Sequence, residues 1–234
     1  MTATLTTPDQ LQKLAERAGE DLEGASALDI LTWANDQFGA SWCVTSSMAD
    51  TLLPHLASRI RPGVDVIFLD TGYHFAETIG TRDAAAATLP ITVKTVTPRQ
   101  SVEQQDASFG VRLYERNPDQ CCALRKVNPL REALKPYSAW ASGLRRDEAS
   151  TRADAKVVEW DARRQIVKIN PIAAWTQDDV DTYSAENGVL LNPLLSDGYG
   201  SIGCWPCTRR IAPGEDARAG RWSGTGKLEC GLHE

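Results

Sequence analysis

The chain has 234 residues, 42% of them hydrophobic, and a formal net charge of −6. That is enough chain for one α/β domain with an ordinary packed core, and the acidic balance argues against generic nucleic-acid binding. No basic stretch followed by an apolar run opens the sequence, and no apolar run approaches the roughly 18 residues of a membrane span, so neither a signal peptide nor a membrane helix is expected.

DQLQKLAERAGEDLEG and ASALDILTWANDQFG carry apolar residues at helical spacing and end at glycine, which predicts two helices within residues 1–40. Three apolar runs follow, SWCVTSS, VDVIFLD and ITVKTV, separated by the helical patterns DTLLPHLASRI and HFAETIGTRDAAAATL. Alternation of this kind predicts βαβ units on an open, mostly parallel sheet with helices on both faces. A helix is expected over about residues 121–134, then a strand in SAWASGL and a hairpin in which VVEW and IVKIN flank DARRQ. Thr176 and Asp179 have the spacing of a helix cap, and Gly188 that of a helix stop. From Asn192 onward glycine and proline are frequent and periodicity fades. The expected organisation is therefore a single domain, 1–234, with N-terminal helices over 1–40, a nucleotide-binding core over 41–190 and an irregular segment over 191–234.

In an open parallel sheet the ligand binds beyond the carboxyl ends of the strands. Three segments are expected there: residues 45–50, rich in hydroxyls; residues 69–74, a turn after a strand; and residues 143–152, a basic loop. Charge along the chain is uneven. Residues 1–60 hold eight acids and three bases, whereas 201–234 place Arg209, Arg210, Arg218, Arg221 and Lys227 against Glu215, Asp216, Glu229 and Glu234. Local positive charge in an acidic protein suggests a small anionic ligand.

The chain has six cysteines, and without an export signal the expected compartment is a reducing cytoplasm, where they serve as metal ligands or redox groups rather than structural disulfides. Cys121-Cys122 and Cys204-Trp205-Pro206-Cys207 offer four thiolates, which suit zinc or an iron-sulfur cluster. Neighbouring side chains on a helix diverge by about 100°. Two of them rarely close on a single ion, so the adjacent pair favours a [4Fe-4S] cluster, whose irons sit at separate corners. The blander alternative is a redox CxxC with a few buried cysteines. Lys126 follows Cys122 by one helical turn and should face the same way. Cys43, inside an apolar run, is expected to be buried and inert. Cys230, four residues from the last residue, belongs to no pair and lies where a chain is ordinarily mobile.

With LDTGYHF, the Cys121-Cys122 and Cys204/Cys207 set, GLRR, and Cys230 in ECGLH, the sequence resembles the bacterial assimilatory adenylyl-sulfate (APS) reductases over about residues 42–233. The resemblance implies an adenine-nucleotide-hydrolase-like α/β fold related to PP-loop ATP pyrophosphatases. It implies reduction of APS to sulfite and AMP with electrons from thioredoxin, in sulfate assimilation toward cysteine. Cys121, Cys122, Cys204 and Cys207 would ligate the [4Fe-4S] cluster, Cys230 would be the nucleophile, and His233 would assist it. Ser47 would correspond to the phosphate-loop serine, and Leu69, Thr71 and Gly72 to the adenosine-contacting turn. Lys126 would link cluster and substrate, while Arg218 and Arg221 would bind substrate. One departure is Met48, which stands where relatives commonly carry glycine in an SGAED-like loop, leaving less room for close backbone approach.

APS joins sulfate to AMP through a mixed anhydride, so a thiolate attacking its sulfur is an anion approaching an anion. Two unit charges about 4 Å apart interact by about 4 kcal/mol at an effective dielectric near 20. Lys126, Arg145, Arg146, Arg218 and Arg221 are the candidate neutralising cations, and they would also favour the Cys230 thiolate. Attack gives Cys230–S–SO₃⁻ and AMP. No second cysteine lies beside Cys230, so an external dithiol such as thioredoxin is expected to release sulfite, with the tail swinging between the two steps. The cluster's expected roles are structural and electrostatic. Rival readings are reduction of the 3′-phosphorylated substrate PAPS, ATP-dependent PP-loop chemistry, and an iron-sulfur redox sensor that binds a nucleotide. No nucleic acid or membrane partner is expected.

Overall fold

The computed structural model describes residues 7–225, 227 and 229–232. Helix α1 (Pro8–Asp21) opens with a capping box, Thr7 and Gln10 satisfying each other's backbone amides. It is followed by α2 (Ala27–Phe38), β1 (Trp42–Thr45), α3 (Leu52–Ile60), β2 (Val64–Leu69), α4 (Ala76–Thr88) and β3 (Ile91–Val96). Further on come α5 (Val102–Phe109), α6 (Leu113–Arg116), α7 (Pro118–Cys122), a π-helical stretch Ala123–Val127 and α8 (Asn128–Leu134). The rest is β4 (Ala139–Ala141), the hairpin β5 (Val158–Asp161) and β6 (Ile166–Ile169), then α9 (Gln177–Asn187).

The strands form one six-stranded sheet in the order β3-β2-β1-β4-β6-β5, parallel except for the β5–β6 pair. Side chains alternate between faces along each strand, and the two cores follow that alternation. Trp42, Val44, Val66, Phe68, Ala139, Ala141, Val167 and Ile169 pack on one face with residues of α1, α2 and α3. Cys43, Ile67, Trp140 and Ile166 pack on the other with Leu130 and Leu134 of α8. Helices therefore cover both faces, as the sequence pattern predicts. Cys43 is fully buried, and its thiol pKa is pushed far up by burial first and by Asp65 second, so it is inert as expected.

The chain runs outward from β1 to β2 and β3, then crosses back to place β4 on the other side of β1. The β1/β4 boundary is thus the switch point, where the loops after the strands diverge and open a crevice. The helix predicted over residues 121–134 begins three residues earlier, at Pro118, and contains the π stretch. Helices α5 and α6 have no counterpart in the predicted elements. The α9 cap is as expected, with Thr176 and Asp179 forming a capping box and Gly188 in the left-handed conformation. No helix among the described residues is long and apolar enough to cross a membrane.

Candidate active site

At the end of β1 the chain turns through Ser46, Ser47 and Met48. Ser47 is exposed at this strand end. Met48 has φ +58°, the left-handed region that favours glycine, yet its side chain is completely buried in the core. The methionine thus keeps the glycine-like backbone of the loop while directing its side chain away from the crevice. Buried Asn192 holds the turn: its Nδ2 donates to the Met48 carbonyl at 3.0 Å and to Thr78 Oγ1 at 3.1 Å. Asp50 caps α3, its Oδ1 accepting from the Leu52 amide at 2.9 Å.

At the end of β2, residues 69–74 join the sheet to the cysteines. Thr71 is buried; its Oγ1 lies 3.3 Å from Cys204 Sγ and accepts from the Tyr73 amide at 3.2 Å. Gly72 has φ +73°, and a Cβ there would stand 3.0 Å from the Arg125 guanidinium, so both conformation and space call for glycine. Buried Arg125 donates to the Thr71 carbonyl and to Gln105 Oε1 and sits over the Tyr73 ring. The Trp205 amide donates to the Tyr73 carbonyl at 2.8 Å, which fastens the Cys204–Cys207 turn to the same segment.

Cys121, Cys122, Cys204 and Cys207 line one recess together with Tyr73, Tyr114, Arg125 and Lys126, partly open to solvent. All four are free thiols. Burial, then Cys122, Cys204 and Cys207, push the Cys121 pKa up to about 12, and burial with Cys204 pushes Cys207 up to about 11. Cys121, Cys122 and Cys207 are thus held un-ionised by burial first, with neighbouring cysteines adding to it, which suits a cationic group that would take them as thiolates. The adjacent cysteines do face different ways. Cys121 packs with Tyr73, Leu113 and Cys204, whereas Cys122 is absent from that apolar group and feels the charges of Lys126, Cys230, Lys227 and Cys204. Among the described residues no three His, Cys, Asp or Glu side chains are grouped as ligands of a single metal ion.

Lys126 leaves the π stretch toward the same place. Burial opposes its charge, but Cys204, Cys230 and Cys122 in their thiolate forms outweigh burial and hold the Lys126 pKa above the ordinary lysine value. The lysine therefore stands between the recess and Cys230. The segment after Cys207 folds back on itself: Arg209 and Gly220 are hydrogen-bonded, as are Trp222 and Cys207. Arg221 consequently lies against the residues preceding Cys204, donating to Ser201 Oγ and the Ile202 carbonyl; a Cβ at Gly203 would overlap its guanidinium. Half-buried Cys230 is held at the edge of this arrangement by its neighbours. Glu229 pairs with Arg152 at 2.7 Å and Arg218 at 3.2 Å, Lys227 pairs with Asp119, and Leu232 packs against the Ile67–Trp140 group.

The structure thus brings Cys121, Cys122, Cys204, Cys207, Lys126, Arg218, Arg221, Thr71 and Cys230 to one site. Buried Arg145 is engaged by Asp147, Glu148 and Gln177, and through Glu148 it joins Arg152, which pairs with Glu229 beside Cys230; Arg146 forms a two-pronged ion pair with Glu23. Arg125 and Asn192 are further members absent from the sequence-predicted set. His233 lies outside the described residues.

A parallel α/β sheet with a strand-end crevice, four converging thiols, and a fifth thiol presented with cations defines a nucleotide-handling enzyme that works through cysteine. The phosphoadenosine phosphosulfate reductase domain family matches residues 41–210, and the chain belongs to that family. Proteins named adenosine 5′-phosphosulfate reductase from Streptomyces coelicolor and Mycolicibacterium smegmatis are 63% and 54% identical to it; the matches cover 97% and 98% of this chain and 96% and 98% of theirs. The crystal structure of a phosphoadenylyl-sulfate (PAPS) reductase from Candida auris, in complex with phosphate, superposes with a TM-score of 0.72 at 29% identity, covering 89% of this chain and 100% of that one.

Proposed function

We propose that this protein is an assimilatory adenylyl-sulfate reductase that converts APS to sulfite and AMP. The observation that carries the proposal is the recess that Cys121, Cys122, Cys204, Cys207 and Lys126 line together, with Cys230 near enough for its charge to act on Lys126 and Cys122. It has the support of relatives that bear this name at 63% and 54% identity.

In the proposed reaction APS lies across the crevice, its adenosine against residues 69–72 and its phosphate toward Ser47. The Cys230 thiolate attacks the sulfur of the mixed anhydride. An S–S bond forms and the S–O bond breaks, its electron pair leaving on the phosphate oxygen of AMP. The product on the protein is Cys230–S–SO₃⁻. Lys126, Arg218, Arg221 and Arg152 offset the charge of the attacking thiolate and of the substrate, a repulsion of about 4 kcal/mol per pair of unit charges about 4 Å apart. A dithiol then attacks Cys230 Sγ, sulfite departs with the S–S electron pair, and the second thiol of the donor resolves the mixed disulfide. Thioredoxin supplies such a dithiol, and six free cysteines suit a reducing cytoplasm.

Cys121, Cys122, Cys204 and Cys207 fit as ligands of a [4Fe-4S] cluster, because their thiols share one recess while the adjacent pair diverges. When bound, the cluster supplies a structural and electrostatic anchor for Lys126. The thiol steps close the two-electron cycle on Cys230 and the donor.

Intact and peptide mass spectrometry of anaerobically purified protein mixed with APS, with PAPS in parallel and no reductant, tests the reaction. The expected result is a sulfonate-sized adduct on Cys230 with APS that thioredoxin removes as sulfite. An adduct with PAPS alone assigns the 3′-phosphorylated substrate named for the structural neighbour, and no adduct with either overturns the thiosulfonate route.

A further inference from the structure

Arg152 and Arg218 come from different parts of the chain, yet both end on the carboxylate of Glu229. Arg152 grips its two oxygens from Nε at 2.7 Å and from a terminal nitrogen at 2.9 Å, Arg218 adds a contact at 3.2 Å, and Thr151 Oγ1 adds one at 3.3 Å. The side chains of Arg152, Arg218 and Glu229 are only 10%, 15% and 11% exposed, so the ion pairs are largely out of solvent. Glu148 takes the remaining edge of Arg152 and also pairs with Arg145 at 3.6 Å. Burial and the nearby Arg152 both pull the Arg218 pKa down, which is the mark of two guanidinium groups that need an anion between them. The chain supplies that anion itself, from the residue next to Cys230.

The two-pronged geometry that holds a carboxylate also fits a pair of oxygens on a sulfonate or phosphate. We propose that Glu229 is an intramolecular stand-in for the substrate's anionic group. It positions the Cys230 segment on Arg152 and Arg218 when no substrate is present, and it yields both arginines when substrate enters. This rests on the placement of Arg218 in the substrate site proposed above. Lys227 on Asp119 and Leu232 on the apolar group keep the flanking residues docked, so the exchange shifts Cys230 between two fixed points. Glu229 is a positioning residue that acts through its neighbour and the two arginines.

The test compares Glu229→Gln with the wild-type, cluster-loaded chain. One measurement is steady-state kinetics with APS. The other is the rate of Cys230 alkylation by iodoacetamide without nucleotide, read on the Cys230 peptide by mass spectrometry. Removing the competing charge is expected to lower KM three- to tenfold without raising kcat. It is also expected to speed alkylation three- to tenfold. Because the pair is largely out of solvent, the difference between wild type and variant should persist as salt is raised. An unchanged or higher KM, or alkylation that is equal in the two proteins at every salt concentration, overturns the proposal. If wild type forms no sulfonate adduct with APS, the functional reading falls instead, and the alkylation comparison still decides whether Glu229 holds the tail.

Discussion

In the sheet, Trp42, Val44, Phe68, Ala139 and Ile169 lie side by side, each with less than 1% of its surface exposed except where a strand ends, and each large one contributes roughly 1.5–3 kcal/mol of apolar burial. Among the described residues between Asn192 and Leu232 only Leu194, Ile202, Cys204 and Trp222 are buried apolar residues, and much of the segment is fastened by separate polar contacts: Trp205 to Tyr73, Arg221 to Ser201 and Ile202, Glu229 to two arginines, Lys227 to Asp119. Apolar burial is non-directional and is spread over many residues, so the sheet is rigid. Ion pairs are few, individually modest and exchangeable for a ligand's charges. A catalytic thiol that must face substrate in one step and a protein dithiol in the next belongs on the second kind of structure.

The comparison breaks most visibly if the tail proves dispensable. Cys230→Ser should abolish sulfite formation, a loss of more than about 10⁴-fold, while leaving the melting temperature unchanged; residual turnover in a coupled sulfite assay would move the nucleophile elsewhere. The converse test is in the sheet layer. Leu56 of α3 is 1% exposed, and Leu56→Ala should cost about 2–5 kcal/mol of stability in urea unfolding. The folded fraction should keep its KM for APS, so a raised KM would mean that the core and the crevice are not separable. Lys126→Ala lies between the two regions, since the residue is anchored in a helix and faces the tail thiol. A loss of about 10²–10³-fold in kcat/KM is expected, corresponding to about 2.7–4 kcal/mol, with the thermal midpoint held. A fall in cluster content of the same variant, measured by iron analysis, would show that the lysine serves the cysteines rather than the reaction.

How much of this was legible in the sequence follows the same division. The strands and the helices α1 to α4 are visible because burial imposes a period of 2 or 3.6 on the residues themselves. The β1/β4 switch follows from the order of those elements. Helix α5 has a readable cap in Ser101 and Gln104, but its helical stretch VEQQDASF buries only Gln105, so no apolar stripe announces it. The π stretch after Cys122 leaves no pattern to read, although the turn from Cys122 to Lys126 survives it. Lys126 was found because it pairs with a residue four positions away. Arg152 reaches the tail through a contact with a residue 77 positions distant, which no local spacing within residues 143–152 announces. Local spacing cannot choose among three arginines in one loop. The cysteines were legible by chemistry, since few other roles suit four such thiols.

The subtlest expected effect concerns the charge of Glu229. Burial raises its carboxyl pKa, whereas Arg152 and Arg218 lower it, and the arginines win, so the docked carboxyl titrates below the usual carboxylate value of about 4.3. A group whose pKa is lower when docked contributes to docking at every pH above its undocked value and loses that contribution only as pH falls through the docked one. The tail contact should therefore be constant from pH 8 down to about pH 5. The ratio of Cys230 modification rates in Glu229→Gln and wild type, each divided by the Cys230 thiolate fraction measured in the same protein, isolates this contribution. A ratio that stays flat over that range has the sign the arginines dictate. A ratio that declines toward one between pH 7 and pH 5 would mean that burial prevails and that the carboxyl protonates early. The tail would then be fastened by Lys227 and Leu232 alone, and Arg152 and Arg218 would stand open to substrate without any exchange.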